Sequence, residues 1–166
     1  MSNPSWNQDQ LFSSAKEDWG TPQSLFDALD EEFQFTLDAA AKPCNAKCDV
    51  YIAPDEDSLG ADISWTERSD GGNVWLNPPY SRGMGPWLEK AYRESLNGIA
   101  VVVLTFARTD TVWWHQWAMK AAEIRLIPGR VVFQGAKAGA PAPSCVIVFD
   151  EARRFPRFVA QTLPRR

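Results

Sequence analysis

Asn73-Val74-Trp75-Leu76-Asn77-Pro78-Pro79-Tyr80 changes character halfway along. Val74-Trp75-Leu76 is a short apolar run suited to a buried strand. The two prolines behind it lack the N–H that a sheet interior needs, so the strand must end at Asn77. Downstream, Trp87, Leu88, Ala91, Tyr92 and Leu96 fall at helical spacing. Residues 99–104 are then a continuous apolar run, largely β-branched, of the kind a parallel sheet buries on both faces. Strand, helix and strand in succession predict an α/β sheet with crossover connections.

Upstream, a helix is expected from Thr21, whose hydroxyl suits an N-cap, with Pro22 at the first helical position. Leu25, Phe26, Leu29 and Phe33 make its apolar face. Phe35-Thr36-Leu37-Asp38 reads as a strand ending in a carboxylate and followed by Ala39-Ala40-Ala41. Residues 42–72 read as irregular, with a short strand at 50–52. Beyond the central strand, Asp110 is expected to cap a helix carrying Trp113, Trp114, Trp117 and Ala121. Residues 124–127, 131–133 and 146–149 supply the last strands. Residues 1–18 read as a loosely ordered arm, 19–150 as the folded domain and 151–166 as an arginine-rich tail.

With 166 residues and 18.6 kDa, the chain is expected to form one domain with a proper core. A composition of 45% hydrophobic and 23% charged residues excludes a disordered chain. No apolar run approaches the ~18 residues of a membrane span, so no membrane partner is expected. The N-terminus lacks a signal-peptide layout, and an odd count of three cysteines argues against a disulfide framework. A reduced, cytoplasmic protein is the expectation. The formal net charge of −4 hides an asymmetry: residues 1–80 carry a net −11 and residues 81–166 a net +7. Five arginines (Arg153, Arg154, Arg157, Arg165, Arg166) stand against Glu151 alone at the C-terminus. Such a split suits a polyanionic partner on one side, although two solvated faces of different charge would look the same.

The Asn77–Tyr80 turn sits at the carboxyl edge of the expected sheet, where open α/β sheets bind ligands. Its prolines hold the backbone so that the Asn77 side-chain oxygen and the Pro78 carbonyl can face one point. Two converging acceptors suit an amino group with two hydrogens. Tyr80 offers a face on which a planar ring can stack, worth ~1–3 kcal/mol for a nucleobase. A planar heterocycle bearing an amino group fits such a corner, whereas an ordinary turn would need none of these features.

Asn77-Pro78-Pro79-Tyr80 resembles the catalytic motif of S-adenosylmethionine-dependent amino methyltransferases. Trp19-Gly20-Thr21-Pro22, Leu37-Asp38-Ala39-Ala40, Arg108-Thr109-Asp110-Thr111, Trp113-Trp114-His115 and Gly129-Arg130-Val131-Val132-Phe133 extend the likeness in order. Over about residues 18–150 the chain resembles the small phage-encoded DNA N6-adenine methyltransferase (Dam-type) family. That resemblance implies a Rossmann-like methyltransferase fold: a mostly parallel sheet with helices on both faces. It implies transfer of a methyl group from S-adenosylmethionine to the N6 amino group of an adenine flipped out of double-stranded DNA, in the host cytoplasm if the chain is phage-encoded. Asn77 and Pro78 would hold N6, with Pro79 completing the rigid turn, and Tyr80 would stack on the base. The donor would be bound by Asn77 and by Asp38, through ribose hydroxyls or the methionyl ammonium, with Ala39 allowing close backbone approach. Thr21 and Pro22 would close over the methionine end, Trp19 would line the pocket and Asp57 would reach the adenosine. A solvated acidic loop explains Asp57 equally well. The glycine-rich loop usual after the first strand of the broader superfamily is absent.

Arg82, Arg108, His115 and Arg130 are the candidates for DNA contact. Each also has an ordinary reading: an exposed charge for Arg82, capping or ion pairing for Arg108, surface packing for His115, a turn for Arg130. Cys44 and Cys48 are spaced C-x3-C without a second pair, so packed thiols are expected and no metal; Cys145 reads as core. Trp75, Trp87, Trp113 and Trp117 are assigned to packing. Two alternatives stand beside the DNA enzyme. A protein glutamine N5-methyltransferase would place its amide NH2 on the same acceptors. A non-catalytic DNA-binding module would bind no donor.

Overall fold

The computed structural model describes residues 20–80, 83–153 and 157–160. Helix α1 (Gln23–Phe33) leads into strands β1 (Phe35–Asp38) and β2 (Val50–Tyr51). A 3-10 turn (Pro54–Glu56) and the short α2 (Trp65–Arg68) precede β3 (Asn73–Leu76). Helix α3 (Gly85–Ser95), β4 (Val101–Phe106) and α4 (Val112–Gln116) follow, then a second 3-10 turn (Ala118–Lys120). Strands β5 (Glu123–Leu126), β6 (Ser144–Phe149) and β7 (Arg157–Ala160) complete the described chain.

The strands form one seven-stranded sheet in the order β2-β1-β3-β4-β6-β5-β7. Strand β1 pairs in parallel with β2 and β3, β3 with β4, and β5 with β7. Strand β6 runs antiparallel to both of its neighbours, β4 and β5. The sheet is therefore mixed, which corrects the expectation of a mostly parallel one. The cause lies in residues 127–143. A parallel return needs a crossover, usually a helix, and this Gly-, Ala- and Pro-rich segment forms no helix, so the chain comes back antiparallel.

Alternation along the strands divides the core in two. Val101, Val103, Ile147 and Phe149 face a cluster built with Trp87, Leu88 and Ala91 of α3 and Trp114, Trp117 and Ala118 beyond β4. Val102, Leu104, Val146 and Val148 face Leu25, Phe26, Leu29 and Phe33 of α1 together with Val131 and Phe133. Asn73 joins the layers at the start of β3. Its amide donates to Phe33 O (2.6 Å) and its oxygen accepts from Ala100 N–H (2.8 Å).

Local expectations are corrected at four places. Thr21 does not cap α1; Pro22 occupies the N-cap, no side chain caps the helix, and Thr21 is buried. The helix after β4 begins behind Thr111, whose hydroxyl bonds Arg108 O, and not behind Asp110, and it ends at Gln116, so that Trp117 and Ala121 lie beyond it. Residues 131–133 form no strand: Val131 and Phe133 are buried because Ala140 N–H reaches Val131 O and Gln134 bridges Gly20. The approach is close, since a Cβ on Gly20 would meet Gln134 Oε1 at 2.7 Å. Finally, Arg157–Ala160 pairs with β5 as a strand that the arginine-rich composition did not announce.

Candidate functional site

Two adjacent parallel strands, β1 and β3, end side by side: Asp38 is in register with Trp75, one residue before Leu76 and the Asn77 turn. Their carboxyl ends open on a cavity of about 260 Å³ lined by Thr21, Asp38, Asp57, Asn77, Pro78, Pro79 and Tyr80, among others. That volume lies just under the ~300–1,000 Å³ usual for a small-molecule site.

Asp38 is 3% exposed, and its two carboxylate oxygens accept from Ala40 N–H (3.3 Å) and Lys47 N–H (3.0 Å). Burial dominates over these two bonds and pushes the carboxyl pKa up to about 6. A desolvated carboxyl at the wall of a cavity is poised to take a cation or hydroxyl donor. Ala39, directly behind it, is fully buried and does not line the cavity; its carbonyl accepts from the Ser58 hydroxyl at 2.6 Å. Asp57 is exposed at the rim with a left-handed backbone, φ 49°, and its carbonyl accepts from Gly60 N–H. Pro22 is half-buried and lies off the cavity wall.

The turn after β3 is half-buried at Asn77, buried at Pro78 and half-buried at Pro79 and Tyr80. The Tyr80 hydroxyl donates to Asn77 Oδ1 at 3.3 Å. The Tyr80 ring stacks on Phe106 with centroids 4.4 Å apart and planes 15° from parallel, and Phe133 meets it edge-on at 6.3 Å. Burial drives the Tyr80 phenol far above its ordinary pKa, so it is a neutral donor. Phe106, at the end of β4, was not singled out from the sequence; its signal is its place at the same sheet edge.

The other nominated residues are not gathered here. Arg108, half-buried after β4, and the exposed His115 and Arg130 lie outside the cavity wall. A His115 ring nitrogen lies 2.9 Å from Thr109 O, tying α4 to the loop that carries Arg108. Trp19 and Arg82 lie outside the described residues. Lys42, Asn45, Lys47, Ser58 and Trp87 line the cavity without having been nominated. The first three come from an irregular segment with no periodicity to mark them. A support chain holds this wall: Glu94 of α3 accepts from Trp65 N–H and Thr66 N–H, and the Trp65 indole donates to Ser58.

Burial pushes the Cys48 and Cys145 thiols up to about 12, as expected of packing residues, whereas Cys44 is exposed, which corrects the expectation that it is packed. No group of three or more metal-ligating side chains occurs among the described residues. Among them, too, no helix is long and apolar enough to cross a membrane.

Comparison with known proteins adds the following. Residues 8–162 match the family model described as DNA N-6-adenine-methyltransferase (Dam). A DNA N-6-adenine-methyltransferase of Haemophilus phage HP1 (strain HP1c1) is 30% identical over 146 residues, covering 82% of this chain and 80% of the phage protein. A protein of the same name from Escherichia phage T1 is 30% identical over 107 residues, 64% of this chain and 42% of that protein.

Proposed function

The chain belongs to the DNA N-6-adenine-methyltransferase (Dam) family, and we propose that its cavity binds S-adenosylmethionine while the Asn77–Tyr80 turn receives an adenine flipped from double-stranded DNA. The observation that carries this reading is the convergence of Asp38 and Asn77-Pro78-Pro79-Tyr80 on one cavity at neighbouring strand ends. The alternation of strands and helices, with layers on both faces of the sheet, is consistent with a Rossmann-like methyltransferase fold.

The donor fits the residues present. It combines a zwitterionic amino-acid end and a cationic sulfonium with a flat heterocycle, and the cavity combines the Asp38 carboxyl with an apolar wall of Ile52, Leu59 and Trp87. When bound, it supplies an electrophilic methyl carbon on a sulfonium. Asp38 takes the ammonium or the ribose hydroxyls, Thr21 closes the methionine end, and Asp57 stands at the rim for the adenosine. Pro22 and Ala39 act indirectly, by setting the backbone on which Thr21 and Asp38 sit.

The N6 lone pair of adenine is delocalised into the ring and is a poor nucleophile. Hydrogen bonds from N6–H to Asn77 Oδ1 and the Pro78 carbonyl favour a pyramidal nitrogen and stabilise the charge that develops on it. The Tyr80 hydroxyl, already bonded to Asn77 Oδ1, keeps the oxygen end of the amide facing the base. The Tyr80 ring, backed by Phe106, presents a rigid platform for stacking. The rest is alignment for in-line displacement. The methylated nitrogen is acidic and loses its proton to solvent, so neither a strong base nor a metal is required. Arg108, His115 and Arg130, with Arg82, contact the phosphates around the extruded base. The proposed site residues lie within residues 19–150, while the sheet that holds them continues through β7, and the site of action is the host cytoplasm, in keeping with the phage origin of the relatives.

The test is incubation of duplex DNA with the protein and isotopically labelled S-adenosylmethionine, followed by nucleoside mass spectrometry. Labelled N6-methyladenine is the expected product. Label in protein glutamine instead, or no transfer, would overturn the assignment.

A further inference from the structure

Residues 1–80 hold four basic side chains, Lys16, Lys42, Lys47 and Arg68, against fifteen acidic ones. Arg68 is paired with Glu56. Lys42 and Lys47 both line the cavity that holds Asp38. Two cations gathered at one cavity, in so acidic a stretch, point to a ligand that carries a negative group. Lys47 is fixed at both ends. Its backbone N–H donates to Asp38 Oδ2 at 3.0 Å, and its ammonium donates to Gln23 Oε1 at 2.7 Å. Gln23 opens α1 two residues after Thr21, which lines the same cavity. The lysine thus spans from Asp38 to the start of α1.

Gln23 is neutral and takes one of the three N–H donors of the ammonium. The other two have no hydrogen-bond or ion-pair partner among the described residues. The group is nonetheless partly desolvated: burial holds its pKa below the usual lysine range, against the opposing pull of Asp27 and Asp38. A half-buried cation without a counter-ion is completed by a carboxylate, which accepts short, charge-assisted hydrogen bonds. S-adenosylmethionine supplies one. The groups assigned above take its ammonium, ribose and adenosine and leave its carboxylate without a partner. We propose that Lys47 is a specificity-determining residue for the methyl donor, its ammonium binding the donor's α-carboxylate while Gln23 keeps hold of it from behind. The inference rests on the donor reading given above. It gives the zwitterion a cation beside the Asp38 carboxyl, both carried by one backbone hydrogen bond.

The experiment is calorimetry, without DNA, of S-adenosylhomocysteine and of its decarboxylated analogue, S-adenosyl-3-thiopropylamine, which keeps the ammonium and lacks the carboxylate. Wild type is compared with Lys47→Met, and with Lys47→Gln as a second neutral variant, with thermal melting to verify folding. Wild type should bind the decarboxylated compound about tenfold more weakly than the parent. Lys47→Met should bind the parent about tenfold more weakly than wild type does, bind the decarboxylated compound as wild type does, and so no longer distinguish the two. Equal binding of both compounds by wild type would overturn the inference whether or not either variant folds. Discrimination kept in Lys47→Met but lost in Lys42→Met would overturn it too, by moving the contact to the other lysine. So would weaker duplex DNA binding by Lys47→Met with unchanged affinity for S-adenosylhomocysteine, which would assign Lys47 to a phosphate. Each of these outcomes leaves the donor reading intact, whereas failure of the parent compound to bind wild type would overturn both.

Discussion

Asn77 offers its side-chain oxygen to two claimants, the Tyr80 hydroxyl and, in the proposed complex, the target amino group. Removing that oxygen deletes the contact to the target amino group and the Tyr80 hydrogen bond beside it, and leaves the Asp38 contact to the donor in place. Asn77→Ala is expected to lower methylation kcat by on the order of 10²–10³-fold while calorimetry finds donor affinity within about twofold of wild type. Asp38 gives a prediction in pH. Its carboxyl titrates near 3.8 in the unfolded chain and near 6 in the folded one. Between those values the unfolded chain is ionised and the folded chain holds its proton. Folding stability from this group therefore falls as pH rises through that window, by up to about 3 kcal/mol, and levels off above it. Urea denaturation of wild type against Asp38→Ala from pH 4 to pH 7 should show this difference in slope. Donor binding should run the other way, strengthening as pH rises through about 6, because the ionised carboxylate attracts the donor's ammonium.

At the level of elements, an ion-pair network ties α1, β5 and the segment after β6 together. Arg125 of β5 bonds Glu32 of α1 (2.6 and 2.7 Å) and Glu123 (2.9 Å). Arg153 reaches Glu32, Glu123 and Asp150 and lies over the Phe33 ring. The Arg125 hydrogen bonds hold the Glu32 carboxyl below its usual range, outweighing the effect of burial. Glu123 has a side chain only 5% exposed, so loss of Arg125 strips a buried carboxylate of its principal cation. Arg125→Ala should cost about 3–5 kcal/mol of unfolding free energy by urea titration. Arg153→Ala should cost less, because its side chain is 33% exposed and solvent screens it. This network also changes how the charge asymmetry is understood. Arg153 counted toward a polyanion-facing tail in the composition, but its charge is already engaged within the protein.

For the whole molecule, the proposed partner is a polyelectrolyte, so affinity should be salt-dependent. Arg130 is exposed on the loop between β5 and β6. Arg130→Ala should weaken binding to any duplex sequence alike and reduce the slope of log K against log salt by about one. An unchanged slope would remove Arg130 from the phosphate-contacting set. Much of the architecture was legible beforehand. Strands β1, β3 and β4, the apolar face of α1 and the helix carrying Trp87 are encoded by periodicity and by the placement of prolines. The direction of β6 was not. It depends on whether residues 127–143 fold into a helix, and their composition specifies only that they are loop-like. The strand at Arg157–Ala160 was missed for a similar reason: as an edge strand it owes its pairing to β5 more than to its own residues.

The amino-acid sequence by itself determined the rigid Asn-Pro-Pro-Tyr corner, the carboxylate closing the first strand and the order of family segments around them. These are local properties, set by proline geometry, residue type and spacing along the chain. Only the tertiary structure decided that Asp38 and Asn77 share a cavity and that Phe106 backs Tyr80. Those facts depend on which strands are neighbours and which buried groups find partners. Burial and pairing across tens of residues are settled by the packed whole, and no local pattern records them.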